Sequence, residues 1–205
     1  MGFHFFAAIS RMKYIDRWAL MRNSRQENLS EHSSEVAMIA HALCTIGNVR
    51  YGRNADADLA ALMGLYHDAS EIITGDMPTP VKYYSRQIRD AYKNVEHVAE
   101  EKLLDRLPED LQPSYRRIFF GPAQDAPEQE REEYSYLKAM VKAADKLSAL
   151  IKCMEEESAG NTEFADAKKG TLKSLQSYKD QYPEVKDYME DFLPSYGMTL
   201  DQLLK

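Results

Sequence analysis

Apolar residues recur along this chain at intervals of three and four, and no stretch alternates apolar with polar positions for the length of a strand. The periodicity predicts an all-α fold. Phe5, Ile9, Met12 and Leu20 mark a first helix over about 5–21, followed by a polar loop over about 22–28. Asn28-Leu29-Ser30-Glu31 has the form of a capping box and opens a second helix to about residue 46. Its stripe is Val36, Ile39 and Leu43, and one turn before Val36 the same face carries His32, which therefore points to the core. A turn-rich link leads to a third helix over about 56–73, built on Leu59, Leu62, Met63 and Tyr66 and ended by Gly75 and Pro78. A long helix over about 81–107 stops at Pro108, and a short one covers about 111–120. Gly121, Pro122 and Pro127 then mark an exposed acidic loop. The helix over about 128–156 carries Leu137, Val141, Ala144, Ser148 and Ile151 on one stripe, with Asp145 at its edge. Gly160 breaks the chain before helices over about 162–181 and 184–192 and a short tail.

At 205 residues the chain is expected to form a single domain over 1–205, with a substantial core. Its net charge of −7 argues against a partner that is a nucleic acid polymer. The charge is uneven: Arg11, Lys13, Arg17, Arg22 and Arg25 face only Asp16 in the first 26 residues, which leaves room for a small anionic ligand there. Cys44 and Cys153 form no CxxC pair, so a disulfide framework or cysteine–zinc site is not expected and a reducing cytoplasm fits. The apolar run from Phe3 to Ile9 is too short for the core of a signal peptide, and no stretch approaches the ~18 apolar residues of a membrane span.

The chemistry collects around residues 66–80. On a continuous helix His67 and Glu71 lie one turn apart with Asp68 beside them, and Gly64 leaves space for something to approach. Asp76 follows in the loop after Gly75. His32, His67, Asp68 and Asp145, from three helices, suit a divalent transition metal with positions left open for water. Each has a plainer reading when taken alone. His32 fits a core histidine bonded to a carbonyl, Asp145 a surface ion pair with Lys142 or Lys146, Glu71 a solvated helix residue and Trp18 ordinary core.

Together, however, the order and spacing of His32, His67-Asp68 and Asp145 resemble the HD-domain metal-dependent phosphohydrolases. Further motifs are similar to the bacterial 5′-deoxynucleotidases within that superfamily: Arg17-Trp18 with Met21-Arg22-Asn23, Glu27-Asn28 with Ser30-Glu31-His32-Ser33, and Tyr66 through Glu71. Thr74-Gly75-Asp76, Pro78 through Lys82, and Gly160-Asn161 with Glu163-Phe164 extend the likeness over nearly the whole chain. The loop over 121–132 is longer than the family pattern, and Asp145, in Ala143-Ala144-Asp145-Lys146-Leu147, is the natural last ligand.

The resemblance implies an HD-domain helical bundle that hydrolyses 2′-deoxyribonucleoside 5′-monophosphates to deoxynucleoside and phosphate, as a cytoplasmic homodimer. It implies one divalent metal (cobalt, manganese, copper or zinc) on His32, His67, Asp68 and Asp145, lowering the pKa of water and withdrawing phosphoryl charge for an in-line attack. Glu71 would orient or deprotonate the water, and Asp76 would protonate the departing 5′ oxygen or serve as the alternative base. Arg17 would hold the phosphate and Trp18 pack on the deoxyribose, while Met77, Pro78 and Thr79 line the nucleotide. His32, Asp68 and Asp145 would meet the substrate at the metal corner. Lys82 is a phosphate candidate by charge alone. Two other readings compete: a phosphodiesterase or triphosphohydrolase of the same superfamily, and a non-catalytic, metal-stabilised nucleotide-binding module. Two uncommitted carboxylates, Glu71 and Asp76, have no use in the last.

Overall fold

A computed structural model describes residues 2–82 and 84–205, apart from the side chains of Thr79 and Pro80. The chain is all-α, and no strand occurs among the described residues. Helix α1 (Phe5–Ile9) runs into a 3₁₀ turn over Ser10–Tyr14, and α2 spans Leu29–Tyr51. Then come α3 (Ala57–Tyr66), α4 (Glu71–Thr74), α5 (Thr79–Lys82), α6 (Arg86–Leu104), α7 (Gln112–Phe120) and α8 (Glu128–Ser158). A 3₁₀ turn over Thr162–Phe164 leads to α9 (Ala165–Gln181), α10 (Pro183–Asp191), a further 3₁₀ turn over Leu193–Gly197, and α11 (Leu200–Leu203).

The core is a packed group of α2, α3, α8, α9 and α10, where Val36, Leu43, Leu137, Leu147 and Leu175 are fully buried. Truncating any of these leucines to alanine costs about 2–5 kcal/mol. A second, aromatic cluster closes one end. Phe5, Ala69, Leu103, Leu104 and Leu107 pack there against Tyr66, Tyr115 and Phe119. The capping box of α2 forms as its sequence predicts: Asn28 Oδ1 accepts from the Ser30 and Glu31 N–H groups, and Glu31 accepts from the Asn28 N–H.

Three helix boundaries differ from the periodic pattern. The first helix ends before Tyr14 rather than near residue 21, and Ile15 turns extended so that Asp16 pairs with Asn28 in an isolated antiparallel bridge. Residues 16–28 thus form a strap, and Leu20, expected on an apolar face, is exposed. The third helix stops at Tyr66. His67 through Ser70 form a turn in which the Ala69 N–H bonds to the Tyr66 carbonyl, and buried Ala69 plugs the aromatic cluster. The long helix expected over 81–107 is two pieces, the second restarted by Ser85, whose Oγ accepts from the Ile88 N–H.

Candidate active site

Gly64 sets the spacing of the site. A Cβ there would meet Ala37 Cα at 2.7 Å, so the α2 and α3 backbones touch between His32 and His67. The space at this glycine is taken by the neighbouring helix rather than left for a ligand. The two imidazoles consequently face each other with ring centroids 5.2 Å apart. His67 Nδ1 bonds to the Gly64 carbonyl at 2.8 Å, and His32 Nδ1 bonds to the Ser148 hydroxyl at 3.0 Å. Ser148 in turn donates to Glu35 at 2.5 Å. Both rings are thereby oriented through Nδ1, and both Nε2 atoms are buried without a hydrogen-bond partner.

Carboxylates converge on those two nitrogens. Asp68 Oδ2 lies 3.0 Å from His67 Nε2 and 3.7 Å from His32 Nε2, and Asp145 Oδ1 lies 3.3 Å from His32 Nε2. Ligands around a transition metal at ~2.1 Å sit about 3–3.5 Å from one another. Two of these three separations fall in that range, while the His32–Asp68 one is slightly wider. Donor atoms of His32, His67 and Asp68 all fall within 4.8 Å of one another, and Asp145 closes the group from α8 through its contact with His32. Two imidazoles anchored from behind through Nδ1, with Nε2 turned toward two carboxylates, fit a divalent cation that displaces any proton there.

The electrostatics agree. Burial and the Arg17 guanidinium push His32 down, against the pull of Asp145. Burial also disfavours charge on His67, but Asp68 and Asp145 overcome it and raise the ring to about 9. Asp145 is driven well below the carboxylate range, since His32, His67 and Arg17 outweigh its burial. The pocket is thus tuned for positive charge.

Glu71 opens α4 just beyond this corner, its N–H bonded to the Asp68 carbonyl. It is 7% exposed, with Oε2 unpartnered, and burial followed by the Asp68 and Asp76 charges raises its carboxyl to about 9. Asp76 stands at the open rim, pushed up by the protein crowding it while Arg17 and the Trp18 main-chain N–H hold it back. The Arg17 side chain is 12% exposed and bonds to Glu27 at 2.7 Å. Trp18 shares that carboxylate through Nε1 at 3.2 Å, and its ring meets Phe164 edge-on at 5.4 Å.

The profile of the 5′-deoxynucleotidase YfbR-like family matches residues 4–196. This chain belongs to that family. The 5′-deoxynucleotidase of Erwinia tasmaniensis is 48% identical over 200 residues, covering 98% of this chain and 96% of that protein. The 5′-deoxynucleotidase YfbR of Escherichia coli (strain K12 / DH10B) is 48% identical over 98% of this chain and 95% of its own. Among solved structures, an HD-domain phosphohydrolase from Listeria innocua superposes with a TM-score of 0.76 at 24% identity, covering 96% of this chain and 90% of that one. The cyanophage S-2L HD phosphohydrolase DatZ, bound to dA and one catalytic Zn²⁺ ion, gives 0.62 at 18% identity, covering 93% and 95%. These two share the fold.

In this YfbR-like chain the structure brings together His32, His67, Asp68 and Asp145, with Arg17 close enough to shift His32 and Asp145, and Glu71 and Asp76 close enough to be shifted by Asp68. Lys82 lies near enough to Glu71 to lower its carboxyl in part, while its Nζ pairs with Glu96 at 2.8 Å over the Tyr92 ring. Met77 is half-buried and Pro78 exposed at the rim, while the Thr79 side chain lies outside those described. Sequence reasoning missed Glu27, which ties Arg17 to Trp18, and the outer pair Ser148 and Glu35. Ser148 was legible only as a polar residue on an otherwise apolar stripe.

Proposed function

We propose that this protein hydrolyses 2′-deoxyribonucleoside 5′-monophosphates to deoxynucleoside and inorganic phosphate, with a divalent transition metal held by His32, His67, Asp68 and Asp145. The reading is carried by two buried, unpartnered Nε2 atoms that face two carboxylates, beside a buried glutamate with no structural partner. A divalent metal bound there lowers the pKa of water and offsets phosphoryl charge.

The chain's own residues do the rest. With a cation held by the four residues, Glu71 would be ionised and its carboxylate would take the proton of the attacking water. Asp76, raised toward neutrality at the rim, delivers a proton to the departing 5′ oxygen. The Arg17 fork pairs with non-bridging phosphate oxygens, and Glu27 fixes its approach. The Trp18 ring packs on the deoxyribose, with Met77, Pro78 and Thr79 beside the base.

The same reading makes the protein a cytoplasmic homodimer. Both cysteines are buried free thiols, and Phe192, Leu200, Leu203 and Leu204 expose apolar surface suited to a second copy. No helix among the described residues is long and apolar enough to cross a membrane.

Cobalt-loaded protein incubated with dAMP, AMP and dATP tests the function. The expected result is inorganic phosphate from dAMP well ahead of AMP, with little turnover of dATP. Release of pyrophosphate or triphosphate from dATP would assign a triphosphohydrolase instead, and binding without turnover a nucleotide-binding module.

A further inference from the structure

Trp18 sits at φ +57, in the left-handed region that residues other than glycine rarely enter. Such a backbone persists only where its surroundings over-determine it. Near the ring those surroundings are visible: Glu27 on the indole N–H, Asn23 on the Trp18 carbonyl, and Phe164 against the ring edge. The strap that carries Trp18 has a second anchorage at its far side. Glu156, 1% exposed, accepts from the Ser24 N–H at 2.8 Å, the Arg25 N–H at 3.3 Å and the Asn161 amide at 2.7 Å. Lys152, 4% exposed, pairs with Glu156 and donates to the Arg25 carbonyl, and Asn161 donates to the Arg22 carbonyl at 2.6 Å. The Lys152 ammonium also lies 5.6 Å from the centre of the Phe164 ring that Trp18 touches.

A buried ion pair gains little stability over apolar side chains of similar size, and its best-attested use is to fix register. Here the charges bond to the main chain of residues 22–25 and reach Trp18 by two routes, along the strap and through Phe164. We propose that the buried Lys152–Glu156 pair is a positioning clamp: it holds the strap so that Trp18 keeps its left-handed backbone and its ring stays aligned with the sugar of the bound nucleotide. Neither residue touches substrate. The sugar part of the inference rests on the placement of Trp18 against the deoxyribose proposed above, and the clamp itself does not.

Trp18 is the chain's single tryptophan, so its fluorescence reports on the strap directly. Three proteins are compared with wild type in their cobalt-loaded form. A Lys152→Met/Glu156→Met double variant removes both charges without stranding one, Asn161→Ala cuts the tie from Glu156 to the Arg22 carbonyl, and Trp18→Ala removes the reporter. Circular dichroism and cobalt content establish that each is folded and loaded. In the double variant, whose changes do not touch the indole, the emission is expected to shift to the red and acrylamide quenching to rise. The deoxy-to-ribo ratio of kcat/KM should fall roughly tenfold, as it does when a positioning contact slips. Asn161→Ala should do the same in smaller measure without touching the indole, and it decides the matter if the double variant does not fold. Unchanged emission and quenching in these folded variants overturn the clamp. Shifted emission in the clamp variants, with the ratio unchanged both there and in Trp18→Ala, supports the clamp and overturns the sugar role of Trp18.

Discussion

The metal corner and the strap over residues 16–28 are built by opposite means. At the corner, packed helices frame the donors: α2 and α3 touch backbone to backbone at Gly64 and Ala37, and His32 stands on α2 and Asp145 on α8. The turn that ends α3 presents His67 and Asp68, and each imidazole is aimed by one bond behind it. The strap has almost no regular backbone. It is closed by a single bridge between Asp16 and Asn28 and held by side chains from α8 and the turn after it, which bond to its main chain. Cation binding needs donor atoms fixed within tenths of an ångström, and packed helices supply that. A grip on a sugar and a phosphate needs a charged fork and a flat ring presented at one angle, which a stitched loop can provide. The two regions should therefore fail separately.

Replacing one of the four residues proposed to hold the metal is the harshest way to break the corner. Asp68→Ala or Asp145→Ala is expected to abolish phosphate release and to strip the bound cobalt, measured by elemental analysis, while leaving Trp18 emission unchanged. Ser148→Ala acts one step further out. It frees the His32 ring from its hydroxyl partner, and cobalt affinity should fall by roughly 10- to 100-fold in a competition titration.

The strap gives the complementary pattern. In Trp18→Ala, cobalt affinity should hold while the gap between dAMP and AMP in kcat/KM narrows by about 10- to 100-fold, the value of burying a 2′-hydroxyl without a partner. Gly64→Ala should reach the corner through the fold, because its Cβ meets Ala37 backbone atoms at 2.7 and 2.9 Å and the two helices must move apart. Overpacking of this kind costs about 1–3 kcal/mol of folding stability, readable by denaturant titration.

The same contrast accounts for what the sequence disclosed. Helix α2 was legible from its capping box and stripe, and with it the inward aim of His32, because these are local signals. His67, Asp68 and Asp145 were legible as a set by their order and resemblance. The strap was not: Met12 and Leu20 continue a helical interval across residues where the chain is tied down by Glu27, Lys152 and Glu156, all distant in sequence or placed on other elements. The break at His67 was hidden for a related reason. No glycine or proline lies between Tyr66 and Glu71, and it is the burial of Ala69 in the aromatic cluster that accompanies the turn. The Ser148–Glu35 pair behind His32 joins α8 to α2 across the core and left no mark beyond a serine on an apolar stripe.

The central claim is that His32, His67, Asp68 and Asp145 hold the metal while Glu71 moves the proton. Chelator-stripped wild-type and Glu71→Gln proteins, titrated with cobalt against saturating dAMP, test it most directly. Both should take up one cobalt per chain, with phosphate release returning in the wild type and remaining about 10²- to 10⁴-fold lower in Glu71→Gln. Loss of cobalt binding in Glu71→Gln, or a wild-type rate in that variant, would contradict the account.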